Sequence, residues 1–397
     1  MRFFHDWSVS AASAGFVAVL VGFTSSVALV FQAAQAFGAS EAVVASWMWA
    51  LGIGMGITTV LPSLLLRKPV MIAWSTPGAA VLASAGVGFD LAQATGAFIV
   101  CALLIVLAGV TGWFERVMNR IPMAIAAGLL AGVLASFGMA AFSAAQTALP
   151  LVLLMLAAYL LGRRWLPRYA VPLTLAVSVV FAAAQGQIAW TQVQWTLTRP
   201  VWTTPQFTWQ AAVSVALPLF VVTMASQNVP GVAVIRATGY RLPISRIISL
   251  TGIATLLLAP FGGYALNLAA ITAAICMGPE AHPDPARRYT AAVVCGALYI
   301  VVGLFGAAVA GLLIAFPKEL VAAIAGLALL STIGGGLVAA LQDETHREPA
   351  LITFLVTASG VTLGGIGAAF WGVVAGSLAL AVAGLGRRKS PAPSQPS

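Results

Sequence analysis

The stretch Lys68-Pro-Val-Met-Ile-Ala-Trp-Ser-Thr-Pro-Gly-Ala-Ala-Val-Leu-Ala-Ser84 decides how this chain is read. It is apolar enough for lipid, yet Trp74-Ser75-Thr76-Pro77-Gly78 interrupts it midway. Pro77 lacks an N–H and restricts Thr76 to extended backbone. The expected parse is a short extended run, a cap at Thr76, Pro77 at the first helical position and a half-helix to about Leu82. Such a helix starts at membrane depth, where irregular backbone must face protein or a wet cavity because lipid cannot satisfy its polar groups. Its free N–H groups and the positive end of its dipole favour an anion.

Leu258 to Gly278 repeats the design. Pro260, Gly262 and Gly263 break an apolar run, Tyr264-Ala265-Leu266 reads as extended, and Asn267 as the cap of a second half-helix from Leu268 to Met277. Two broken segments in corresponding halves point to a solute site at mid-membrane.

Composition sets the class. Of 397 residues 61% are hydrophobic and 7% charged, and mean hydropathy is +1.01, which leaves no charged shell for a soluble domain. About fourteen apolar runs near bilayer length recur from end to end. They fall at roughly 12–36, 42–62, 70–86, 91–112, 122–142, 146–162, 170–186, 208–229, 243–259, 261–277, 289–314, 319–341, 349–363 and 366–385. The run from Val9 to Phe37 is too long for a signal peptide and reads as an uncleaved first span. With both termini cytoplasmic, every one of the 19 Lys and Arg except Arg199 and Lys318 falls inside. That bias explains the net charge of +9 by topology, without nucleic acid. Cys101, Cys276 and Cys295 lie unpaired in apolar segments and suggest no disulfide, metal or cofactor.

At an offset of 195, Thr95 matches Thr290, Ile105 matches Ile300 and Pro122 matches Pro317, which makes the two broken segments equivalent. Seven spans per half is odd, so the second copy enters from the opposite side. The fold expected is all-α and integral to the membrane: two inverted seven-segment repeats with the third and tenth segments broken.

Three motifs carry a family resemblance: Trp74-Ser75-Thr76-Pro77-Gly78, Ala225-Ser226-Gln227-Asn228-Val229-Pro230-Gly231 and Pro260-Phe261-Gly262-Gly263-Tyr264-Ala265-Leu266-Asn267. Together they resemble the benzoate:proton symporter family. That family shares its fold with uracil/xanthine permeases and sulfate/bicarbonate anion transporters. The resemblance implies a first repeat over 1–186 (core 1–114, gate 121–186), an outer loop over 187–207 and a second repeat over 208–389 (core 208–314, gate 317–389). Residues 390–397 read as a disordered tail. It implies alternating-access import of benzoate or a similar aromatic carboxylate with protons, in a bacterial inner membrane, with lipid as surroundings and a homodimer through gate spans admitted. An exchanger or channel for inorganic anions or another organic acid is the alternative in the same fold. A membrane-embedded enzyme would need a nucleophile, an acid–base pair or a metal cluster at depth, and none is visible.

The candidate binding residues are Ser75, Thr76, Pro77, Gly78, Gln227, Asn228, Tyr264, Leu266, Asn267 and Leu268, with no catalytic or metal-binding residue. Nucleobase permeases carry carboxylates where this chain has Ser226, Gln227, Asn228 and Asn267. Hydroxyls at 75 and 76 and the Asn267 amide can cap helices and still turn a donor to a carboxylate. Read more plainly, they are caps without ligand contact, and Gln227 and Asn228 satisfy backbone opened by Pro230. Gly78, Ala79, Ala269 and Ala270 leave room for a ligand, and Trp74, Phe261 and Tyr264 are of the kind that contacts a flat ring or simply packs. Gly128, Gly132 and Gly334–Gly336 read as close helix packing or gate bending. The resemblance names no proton carrier; the solute itself, Glu41, Asp90 and Glu115 all remain open.

Overall fold

The computed structural model describes residues 5–24, 26–86, 88–112, 123–166, 169–193, 195–279, 281–361, 363 and 368–385. Glu115 and the tail 390–397 lie outside them. The first half runs α1 (Val9–Thr24), α2 (Val27–Ala36), α3 (Glu41–Leu66), β1 (Ile72–Trp74), α4 (Thr76–Ala85), α5 (Leu91–Val110), α6 (Met123–Ser143), α7 (Ala145–Trp165) and α8 (Ala170–Ala184). The second runs α9 (209–237), α10 (Ile244–Leu258), β2 (Leu266–Leu268), α11 (Ile271–Met277), α12 (Tyr289–Leu304), α13 (Gly306–Ala315), α14 (Lys318–Leu341), α15 (Arg347–Ala358) and α16 (Ala368–Leu385). Among the described residues eight helical stretches are long and apolar enough to cross a membrane, with shorter apolar helices beside them.

The third and tenth segments are broken as the sequence predicts. Three boundaries differ: the first segment splits near Ser26, the eleventh splits at Phe305 into α12 and α13, and the eighth runs on to Ala237 through two π turns, Ala212–Ala216 and Met224–Asn228. Each π turn holds an extra residue and re-aims the side chains after it.

Packing shows the repeat. α3 lies on α12 as α10 lies on α5; α7 pairs with α8 as α15 pairs with α16; and α6 meets α14 across the pseudo-twofold axis. One bundle gathers α1–α5 with α9–α13, and a second gathers α6–α8 with α14–α16. Glycines set these distances: a Cβ on Gly52 would stand 2.6 Å from Gly303 Cα, and one on Gly128 2.5 Å from the Ala350 carbonyl oxygen. Gly132 is similarly pressed on Phe354, at 2.7 Å, whereas Gly334 and Gly335 face open space. Close packing thus explains Gly128, Gly132 and Gly336, where a Cβ would stand 3.3 Å from the Ala131 Cβ, and not Gly334 or Gly335.

The strands are the centre of the first bundle. β1 and β2 pair antiparallel with Ile72 opposite Leu268, Ala73 opposite Asn267 and Trp74 opposite Leu266. The ladder continues through Ala269 N–H to the Met71 carbonyl at 2.9 Å and Ser75 N–H to the Ala265 carbonyl at 3.0 Å. The outer edge of a two-stranded ribbon would strand buried N–H groups at this depth. Here α3 supplies the acceptors. Ser63 Oγ, Thr59 Oγ1 and Met55 Sδ, four residues apart, take the N–H groups of Val70, Ile72 and Trp74 at 3.0, 3.1 and 3.1 Å. Four residues of helix rise about 6 Å and two of strand about 6.6 Å, so the spacings match. On β2 the same duty falls to Thr255 Oγ1 of α10, 3.1 Å from Leu266 N, and Asn228 Oδ1 of α9, 2.9 Å from Leu268 N.

Candidate functional site

Each strand turns into a half-helix through an elbow. At the first, the cap is Ser75 rather than Thr76: its Oγ accepts from Gly78 N–H at 3.0 Å and receives the Thr223 hydroxyl at 2.9 Å, and α4 extends past Leu82 to Ala85. Strand pairing reaches Trp74, which leaves Ser75 as the residue with extended backbone outside the helix. With Pro77 lacking an N–H and Gly78 capped, few donors remain at this helix start.

The second elbow corrects the sequence reading more deeply. Asn267 is not a cap; it sits inside β2 opposite Ala73, fully buried. With its amide oriented to suit its neighbours, its oxygen accepts from Ser75 N–H and its nitrogen donates to the Leu268 carbonyl, both at 2.9 Å. The helix begins at Ile271, not Leu268, and Ala270 at its cap position offers no side chain. The first N–H groups of α11 therefore have no intrahelical acceptor and no side-chain cap.

A cavity of about 220 Å³ lies between the elbows. Ala73, Trp74, Thr76 and Pro77 line it from the first, and Ala269, Ala270, Ile271 and Thr272 from the second. The second π turn of α9 adds Ser226 and Gln227; Gly22, Ser26, Met55 and Tyr299 complete the floor. Leu134 of α6 and Leu329 of α14 close it from the other bundle. Its size lies below the roughly 300–1,000 Å³ of drug-sized pockets, so it suits a small solute.

Trp74 is held in place, with Nε1 donating to Ser26 Oγ at 2.8 Å and the Phe23 ring centroid 5.4 Å away. Thr272 is 4% exposed and its Oγ1 has no hydrogen-bond partner, a costly state for a buried hydroxyl unless something occupies the cavity. Among the described residues no Asp, Glu, His, Lys or Arg lines the cavity, and Tyr299 is its one titratable side chain.

The sequence candidates thus divide. Thr76, Pro77 and Gln227 line the cavity together with Trp74, Ser226, Ala269 and Ala270. Ser75, Asn228 and Asn267 stand behind it as buried fasteners of the strands. Gly78 is buried where a Cβ would meet Leu219 at 2.6 Å, Ala79 is buried as well, and Leu266 and Leu268 are buried within β2. Tyr264 packs between Trp47 and Phe98, at 6.1 Å from each, and Phe261 packs on Trp49 and Trp202. Sequence reasoning missed Thr272, Gly22, Met55, Tyr299, Leu134 and Leu329. The one signal for Thr272 is a hydroxyl five residues past Asn267 in a run of small apolar residues.

The acids lie elsewhere. Asp90 forms a capping box with Gln93 at the start of α5, Asp6 accepts from the Tyr289 hydroxyl at 2.8 Å, and Glu41 opens α3. In the connection before α15, the hydrogen bond from His346, then those from Thr345, lower the Asp343 carboxyl from an ordinary 3.8 to about 2.

Two inverted seven-segment repeats with crossed, interrupted spans around a mid-depth cavity define a multi-pass membrane transporter. The solved structures agree in fold. The transmembrane domain of a cyanobacterium bicarbonate transporter BicA gives a TM-score of 0.52 at 15% identity, over 95% of this chain and 97% of that one. Murine Slc26a9, an anion transporter in the inward-facing state, gives 0.58 at 12% identity, over 96% and 68%. The family model described as BenE, benzoate membrane transport protein, matches residues 5–382, and this chain belongs to the BenE benzoate transporter family. It is 48% identical over 372 residues to the inner membrane protein YdcO of Escherichia coli strain K12, covering 94% of this chain and 95% of that protein. It is 40% identical over 375 residues, with the same coverage, to the benzoate membrane transport protein of Acinetobacter baylyi.

Proposed function

We propose that this protein imports benzoate or a similar aromatic carboxylate together with protons across a bacterial inner membrane, both termini being cytoplasmic. The observation that carries the reading is the cavity between the elbows, where the uncharged polar side chains Thr76, Ser226, Gln227 and Thr272 share the wall with the apolar surfaces of Trp74, Met55, Leu134 and Leu329. A few uncharged polar groups in an otherwise apolar wall suit a ring that carries a carboxyl group. The carboxyl end lies toward the uncapped start of α11 and Thr272, and the ring toward Trp74 and the two leucines. Support comes also from the relative in Acinetobacter baylyi, whose name states benzoate transport.

The bundle α1–α5 with α9–α13 acts as the core, and α6–α8 with α14–α16 as the gate. Because Leu134 and Leu329 belong to the gate, sliding one bundle along the other changes which side the cavity opens to. Moving one anion inward against the potential costs about 2.3 kcal/mol per 100 mV, and one proton cancels that cost. The bicarbonate and Slc26a9 likenesses favour a second reading, transport of small inorganic anions. Among the described residues the cavity wall has no cation for such an ion, and it offers much apolar surface. Uptake of labelled benzoate into proteoliposomes, above the leak of protein-free vesicles and driven by an imposed pH gradient, tests the proposal. Chloride or sulfate flux without benzoate uptake overturns it.

A further inference from the structure

The cavity is short of two things that a proton-coupled anion carrier is expected to have: a side chain that takes the proton and a cation that holds the anion. Among the described residues neither lies close by. On α3, Glu41 precedes Met55 by fourteen residues, about 21 Å of helix; on α14, Lys318 and Glu319 precede Leu329 by ten or more, about 15 Å. On α12, Arg288 precedes Tyr299 by eleven residues, about 16 Å, and its guanidinium is bonded to the carbonyls of Met277, Pro283 and His282. On α9, Arg236 follows Gln227 by more than two turns. Within α1, α2, α4, α6 and α11 there is no Asp, Glu, His, Lys or Arg at all. Tyr299, with Cys276 and Cys295 beside it, is the one titratable group in the wall. A phenol is ordinarily neutral near pH 7 and carries no charge to offer an anion.

The polar side chains that do line the cavity share one property. The Gln227 amide and the hydroxyls of Thr76, Ser226 and Thr272 each donate and accept. A carboxylate can only accept, so it would use the Gln227 amide N–H and supply no donor to the Gln227 carbonyl oxygen. A carboxylic acid donates through its O–H and accepts through its C=O, as a primary amide does, and matches this set. α11, at seven residues, offers a small dipole, and α4 has its Gly78 N–H capped. Burial away from any cation raises a carboxyl that titrates near 4 in water, by up to about 3–5 units for a fully buried group, and so favours the neutral acid.

On the reading that the solute is an aromatic acid, we propose that the proton travels on the solute: the site binds the neutral carboxylic acid, its O–H and C=O matched by the Gln227 amide and the Thr272 hydroxyl. One proton leaves the outer water with one carboxylate, crosses with zero net charge and is given up inside when the acid dissociates. Atoms and charge balance without any carrier group on the protein, and the membrane potential drops out of the driving force.

The test is calorimetric binding of ring-substituted benzoates of similar size, para-methoxy against para-nitro, to the purified full chain at pH 7. Apparent affinity should fall about tenfold for each unit by which the solute's carboxyl is the more acidic, and benzenesulfonate, a permanent anion of similar shape, should not compete. Gln227→Lys, which supplies a fixed cation, should flatten that series and admit the sulfonate. Affinity independent of solute acidity in the unaltered protein, or competition by benzenesulfonate, overturns the neutral-acid proposal while leaving aromatic-acid transport standing. Failure of every benzoate to bind overturns the transport reading and this inference with it.

Discussion

At the first elbow, between β1 and α4, Ser75 caps the helix, accepts the Thr223 hydroxyl and gives its own N–H to the opposite strand. At the second, between β2 and α11, the cap position holds Ala270, the helix is shorter, and the nearby Thr272 hydroxyl has no partner. One plan, inverted in the membrane, has been completed from within at one end and left open at the other. An elbow satisfied by its own side chains gains rigidity and has little left for a ligand; an open one carries unsatisfied groups until a solute arrives. The asymmetry is that of an elbow that fastens the strands and one that, on the proposed function, would hold the carboxyl group.

The largest expected effect comes from breaking the joint between the two. Asn267→Leu removes the amide that ties Ser75 to Leu268, leaves a buried carbonyl without a donor and forces a branched side chain into the ribbon. The expected loss is about 2–4 kcal/mol of stability, read as a lower melting temperature of the solute-free protein. Wild-type melting would remove Asn267 from the frame. Ser75→Ala comes next: losing the cap and stranding the Thr223 hydroxyl should lower stability by about 1–2 kcal/mol, while the affinity of the protein that remains folded changes less than about threefold, since Ser75 does not line the cavity.

How the sequence and the structure part company follows from the same contrast. The breaks themselves are legible, because Pro77, Gly262 and Gly263 in apolar runs cannot continue a buried helix, and the loop charges support an even number of crossings. The cap at Ser75 is off by one because adjacent hydroxyls are equally good caps; what selects between them is how far pairing with β2 extends. Asn267 fails for a similar reason. Asparagine is a favoured cap and also a good clasp between strands, and the decision rests on a partner almost two hundred positions away. Leu134 and Leu329 are two leucines among many on α6 and α14, and no local pattern marks them out. Tyr264 and Phe261 show the opposite error, in which aromatic residues beside a break suggest a ring site although each packs into its own cluster.

Thr272→Val sharpens the contrast because it should move two quantities in opposite directions. The substitution keeps the shape and exchanges an unpartnered buried hydroxyl for a methyl, so the empty protein should become more stable by about 1 kcal/mol. The same change removes a donor and acceptor from the cavity and should weaken benzoate binding about tenfold. A purely structural threonine would show no such pairing: stability and affinity would fall together, or affinity would stay put. Melting with and without benzoate reads both at once, since the shift that a ligand produces tracks its affinity for the folded protein.

The smallest effect expected is a control on pH. Asp343 lies outside the cavity and its carboxyl is held at about 2, below an ordinary 3.8. Its contribution to stability is therefore complete above pH 4 and lost only as pH falls toward 2. Asp343→Asn should leave the pH dependence of benzoate binding unchanged between pH 5 and pH 8, and by the same token so should Glu41→Gln and Asp90→Asn, although the last removes a helix cap. If any of the three flattened that dependence, the proton would have to pass through a protein carboxyl at a helix end. The second elbow would then bind an anion, and the open donors of α11 would be its main support.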